Sequence, residues 1–132
     1  MELHYQETGT GAPLIVLHGL FGSLDNWAPV NRQLSRNFRV IAVDLRNHGR
    51  SPHSPEMNFS VMAEDILELM TRLGLEQSHL LGHSMGGKAA MQLALNHPER
   101  VDRLVVADVA PVRYPPSHTH LIRAMMSLNV EA

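Results

Sequence analysis

Residues 82–86 of this chain read Gly-His-Ser-Met-Gly, set between an apolar run that looks like a strand and a run of small and apolar residues that looks like a helix. No other stretch restricts the fold as much. A serine with glycine two residues before and two residues after it fits a sharp strand-to-helix turn, the nucleophile-elbow pattern. In such a turn the serine takes a strained backbone conformation, and the glycines leave room for chain segments that a side chain would push apart. The turn presents the Ser84 hydroxyl outward, and the helix after it aims its free amides at the same spot. Ser84 is therefore a candidate nucleophile, and the Met85 N–H a candidate donor to an oxyanion.

Two other readings compete for this stretch. Residues 82–88 also match Gly-x-x-x-x-Gly-Lys, the start of a phosphate-binding P-loop ending at Lys88, but Ala89 stands where that loop needs Ser or Thr to hold magnesium. The plainest alternative is a Gly-rich turn that happens to expose a serine.

With 132 residues, 44% of them hydrophobic, the chain can build about one domain with a core. Thirteen acidic against eleven basic residues give a net charge of -2, which offers no basic footprint for nucleic acid or an anionic membrane. Without cysteine there is neither a disulfide framework nor a thiolate metal site. The first six residues lack the basic and apolar blocks of a signal peptide, and no apolar run approaches the roughly 20 residues of a membrane span. A cytoplasmic protein without a membrane span is the expectation.

In chain order, residues 3–7 alternate as a short strand does, and the continuous apolar run 14–17 suits a strand covered on both faces. The Gly-rich loop 18–23 follows at that strand's carboxyl end, where open α/β sheets place their sites. Within it the Leu20 N–H is a candidate second oxyanion donor, Phe21 is the alternative, and an ordinary turn is the plain reading. His18 reads as a residue that braces the loop rather than as a base. Residues 25–36 carry Trp27, Val30, Asn31 and Leu34 at helical spacing, with Ser23 or Asp25 as N-cap. Residues 39–45 form the next buried strand, which empties into the Gly- and Pro-marked loop 46–52.

Ser60 is expected to cap a helix whose Met62, Ile66, Leu69, Met70 and Leu73 form one apolar stripe, with Glu64 and Asp65 near its amino-terminal end and Gly74 as its stop. Residues 78–81 lead into the elbow, and Ala89, Ala90, Leu93 and Ala94 let the following helix lie close to a sheet. Residues 103–109 read as another buried strand with Asp108 near its carboxyl end, and residues 121–128 as one more amphipathic helix. Strands alternating with helices imply an α/β fold, a mainly parallel sheet with helices on both faces.

Three segments in register, 18–27, 44–51 and 82–89, resemble the α/β-hydrolase superfamily, and Arg46-Asn47-His48-Gly49 together with residues 106–112 resemble the small bacterial esterases of the YbfF type. The resemblance covers nearly the whole chain. It implies Ser84 as nucleophile, the Leu20 and Met85 amides as oxyanion hole, and Asp108, after the strand that follows the elbow helix, as triad acid. Many hydrolases take that acid from a later strand, and a strand-end carboxylate that caps a loop is the alternative for Asp108. Asp44, which precedes the nucleophile, is expected to stabilise its turn through hydrogen bonds.

The resemblance also implies a triad histidine from a loop beyond Ala132, and none of the nine histidines matches it. His83 is expected to point away from the nucleophile, and His118 and His120, lacking a carboxylate partner, read as surface residues rather than metal ligands. Residues 1–132 thus look like the amino-terminal part of one hydrolase domain, with 111–132 as the start of its cap. The implied activity is cofactor-free hydrolysis of a small-molecule acyl ester or thioester through an acyl-enzyme. A carbon-carbon lyase or acyltransferase on the same fold is an alternative, as is a non-catalytic binding module. Lacking a triad histidine, this chain alone is expected to be nearly inactive, and an open sheet edge exposes it to self-association.

Overall fold

The structure, a computed structural model, describes residues 1–109. The helix expected at 121–128, the cap start at 111–132, and His118 and His120 lie outside the described residues. Five strands form one sheet in the order β1-β3-β2-β4-β5: β1 (Tyr5–Thr8), β2 (Ala12–Leu17), β3 (Phe38–Val43), β4 (Ser78–His83) and β5 (Val101–Ala107). β1 runs antiparallel to β3, and every other pairing is parallel. Three α-helices connect the strands: α1 (Ala28–Leu34), α2 (Phe59–Arg72) and α3 (Met85–Asn96).

Alternation along the central strands sorts the core onto two faces. Ile15, Leu17, Ile41 and Val43 pack with Met62, Ile66, Leu69 and Met70 of α2 and Ala89, Ala90 and Leu93 of α3. Leu14, Val16 and Val40 face the other way, against Trp27, Leu34 and Phe38. Full burial of each large aliphatic side chain contributes about 1.5–3 kcal/mol. That is why the apolar runs of β2 and β3 end up central, with helices on both sides.

The helix starts differ from expectation in two places. Residues 25–36 do not form one helix: a 3₁₀ turn, Leu24–Trp27, precedes α1, with Pro29 in the first turn of the latter. Ser23 rather than Asp25 is the cap, its side chain and that of Asn26 forming a reciprocal capping box. α2 is capped not by Ser60 but by Asn58, whose Oδ1 accepts the Val61 N–H at 2.9 Å. One helical residue, Phe59, therefore precedes the position expected for the cap. Asp65, expected near the amino-terminal end of this helix, lies at its middle, where it holds Arg46 through two hydrogen bonds of 2.6 and 2.9 Å, both side chains buried.

Candidate active site

Strand register brings the carboxyl ends to one level. Leu17 pairs with Val43 and with Gly82, and His83 pairs with Ala107. The residues that leave these strands next, His18, Asp44, Ser84 and Asp108, are therefore gathered along one rim of the sheet. β2 connects to β3 on one side and has β4 on the other, so the rim includes the switch point where open α/β sheets form a crevice.

Ser84 occupies the elbow with φ 52° and ψ -114°, outside the regions most L-residues adopt. Its N–H donates to Ala107 O at 3.0 Å, and its carbonyl accepts from Lys88 N at 3.1 Å. The glycines around it are dictated by crowding. A Cβ on Gly82 would lie 2.5 Å from Gly86 O, and one on Gly86 would lie 2.5 Å from His18 O and 2.6 Å from Leu17 O. α3 is thus pressed against the end of β2, with Met85 as its first residue. The loop after β2 closes on the same place: a Cβ on Gly19 would stand 3.4 Å from Ser84 Cβ.

That loop is held by two histidines whose protonation follows from their partners. His18 Nε2 accepts the Leu45 N–H at 3.0 Å, so Nδ1 carries the proton and donates to Gly19 O at 2.7 Å. His48 repeats the pattern, with Nε2 accepting the Phe21 N–H at 3.2 Å and Nδ1 donating to Arg46 O at 2.8 Å. The rings lie 5.1 Å apart. Burial pushes the His18 imidazole below its ordinary 6.5, and His48 pushes in the same direction, against the hydrogen bond to Gly19. Each Nε2 lone pair is already committed to a backbone amide. His18 is a brace, as expected, and Asp44 has the structural part expected of it: its carboxylate accepts Leu24 N at 2.8 Å and Arg50 N at 2.9 Å.

Asp108 emerges just past β5 with φ 60° and an exposed carboxylate. Its Oδ2 is 3.7 Å from His83 Nε2. The His83 ring also lies against the loop after β2. Its Nδ1 would be 3.0 Å from a Cβ on Gly19, and its ring meets Trp27 edge-on at 6.2 Å. Register explains this, because His83 leaves β4 opposite the end of β2, where the Gly19 backbone offers an open floor. His83, His18, Leu20, Phe21, Trp27 and Val30 border a cleft of about 520 Å³. Leu20, Phe21 and Val30 present exposed apolar surface there. Sequence reasoning misses the contacts of His48 and His83, although His48 lies in the segment 44–51.

The chain belongs to the α/β-hydrolase fold family, whose family model matches residues 12–129. This removes the P-loop reading of residues 82–88; Lys88 Nζ stands 5.6 Å from the centre of the Phe59 ring. Among curated proteins the chain is 43% identical over 109 residues to Esterase YbfF of Escherichia coli K12, covering 83% of this chain and 43% of that protein. It is 47% identical over 116 residues to the Mus musculus protein named sn-1-specific diacylglycerol lipase ABHD11, covering 86% of this chain and 38% of that protein. A solved structure described as a marine microorganism esterase superposes with a TM-score of 0.94 at 44% identity, covering 97% of this chain and 52% of that one. The chain thus spans about half the length of these relatives or less. Among the described residues no helix is long and apolar enough to cross a membrane.

Proposed function

We propose that this chain carries the nucleophile of a serine hydrolase that cleaves small acyl esters or thioesters. The observation that supports it most is the elbow itself, Ser84 held at φ 52° between β4 and α3 by glycine-mediated contacts. Strain of this kind costs on the order of 1–3 kcal/mol and is concentrated at functional sites. In this reading Ser84 attacks the substrate carbonyl, and the Leu20 and Met85 amides donate to the oxyanion that forms. The Phe21 amide is a poor second donor because it already donates to His48. Asp108, exposed at the rim beside Ser84, orients and stabilises the imidazole that takes the serine proton.

That imidazole is neither His18 nor His48, whose Nε2 atoms are occupied, and in this reading it comes from outside the described residues. Without it Ser84 has no general base, and turnover should be nearly absent. With it, the acyl-enzyme on Ser84 is released by water. The cleft bordered by Leu20, Phe21, Trp27 and Val30 suits an apolar acyl or alcohol group.

The test uses the intact enzyme, with p-nitrophenyl butyrate as substrate and a fluorophosphonate as covalent probe. Ser84→Ala should abolish both hydrolysis and labelling, and Asp108→Asn should lower turnover by about 10⁴ with folding retained. Labelling that persists at Ser23 or Ser51 in the Ser84→Ala protein would overturn the assignment.

A further inference from the structure

The proposed oxyanion site depends on a loop whose shape needs a cause. We infer that His48 is a positioning residue for that site: by accepting the Phe21 N–H it fixes the turn that carries the Leu20 amide toward Ser84. The inference rests on the reading of Leu20 as an oxyanion donor.

Residues 19–22 form a β-turn closed by the Gly22 N–H donating to Gly19 O at 3.0 Å. Its third residue, Phe21, has φ 62°, while Leu20 is not among the residues with positive φ. That combination defines a type II turn, in which glycine or asparagine normally fills the third position. Phenylalanine there needs outside support, since a bulky residue at positive φ is strained. A type I turn would relieve the strain by flipping the Leu20–Phe21 peptide. The flip would turn the Phe21 N–H away from His48 and set the Leu20 carbonyl against the same Nε2 lone pair. His48 therefore selects the strained turn.

The acceptor is itself firmly placed. His48 is buried, its Nδ1–H donates to Arg46 O, and its ring lies beside that of His18 at a 53° tilt. Arg46 is clamped to Asp65 of α2 and also donates to Glu56 O at 2.7 Å. A chain of contacts thus runs from α2 through Arg46 and His48 to the loop beside the nucleophile. Misplacing a reacting group by about 1 Å costs about 10²-fold in rate.

Gln and Asn separate this role from ordinary packing. A Gln side chain can put its carbonyl oxygen where His48 Nε2 lies, whereas the shorter Asn reaches only the Nδ1 position and keeps the bond to Arg46 O. In the intact enzyme with p-nitrophenyl butyrate, His48→Asn should lower kcat about 100-fold with KM nearly unchanged. His48→Gln should recover most of that loss. An unchanged kcat in His48→Asn, or an equal loss in both variants, would overturn the inference.

Should either variant fail to fold, ¹⁵N NMR of the unsubstituted protein decides. Nε2 of His48 should be unprotonated at neutral pH and hydrogen-bonded to the Phe21 amide proton, and a protonated Nε2 would overturn the inference. Turnover that survives Ser84→Ala would instead refute the proposed function, while the NMR measurement would still report whether His48 holds the turn.

Discussion

At Ser84 a strained backbone is held by the absence of side chains around it, and this separates two kinds of glycine. Gly86→Ala would drive a methyl group to 2.5 Å from His18 O, and backbone on both sides leaves it nowhere to go. Overpacking of this sort should cost about 3 kcal/mol. Gly74, with φ 70°, has nothing within 4 Å of its would-be Cβ, so Gly74→Ala carries only the left-handed backbone cost of about 1 kcal/mol. Urea denaturation of the two variants should rank them in that order, and equal losses would mean the elbow is looser than described. His18 supplies a second measurable consequence. Its folded pKa lies below its ordinary 6.5, so the fold keeps the imidazole neutral where the unfolded chain would protonate it. Its contribution to stability is complete above about pH 6.5 and declines as pH falls from there through the folded pKa. The fall in stability between pH 7.5 and pH 5 should be smaller in His18→Gln, and an identical fall would remove His18 from the account. Ser84, Gly82 and Gly86 were legible in the sequence because their geometry is local. The role of His48 was not, because it depends on a tautomer and on an amide 27 residues away.

The elements were legible wherever periodicity carried the signal, and less so where a single side chain set a boundary. The stripe Met62, Ile66, Leu69 and Met70 is buried as its spacing requires. The start of the same helix was misplaced because Asn58 and Ser60 are both competent caps. Entry of the chain decides between them: Asn58 has extended φ and ψ of -154° and 169°, whereas Ser60 is already helical. Asn58→Ala should therefore destabilise the protein by about 1 kcal/mol, and Ser60→Ala by no more than a few tenths. Thermal denaturation that reversed the order would return the cap to Ser60. Asp65 was legible as an acid on the helix but not as half of a buried clamp, since its partner Arg46 lies in a loop whose course no periodicity describes. Removing one partner of such a pair is costly because it strands a charge in the interior.

Across the whole molecule, the sheet is unevenly covered. β2 and β3 lie between helices, whereas β5 forms one end of the strand order among the described residues. Leu104 and Val105 are adjacent in β5, so their side chains point to opposite faces, and they are 36% and 58% exposed. An edge strand with apolar side chains exposed on both faces is a template for further pairing. The relatives named above are about twice as long as this chain or longer. Residues 1–132 studied alone should therefore self-associate through β5, with a weight-average mass in sedimentation equilibrium that rises with concentration. Val105→Lys places a charge on the more exposed face, where a solvated monomer tolerates it and a paired edge does not, so it should shift the population toward monomer. A chain that stays monodisperse and monomeric at all concentrations, with or without the lysine, would show that β5 is not an adhesive edge.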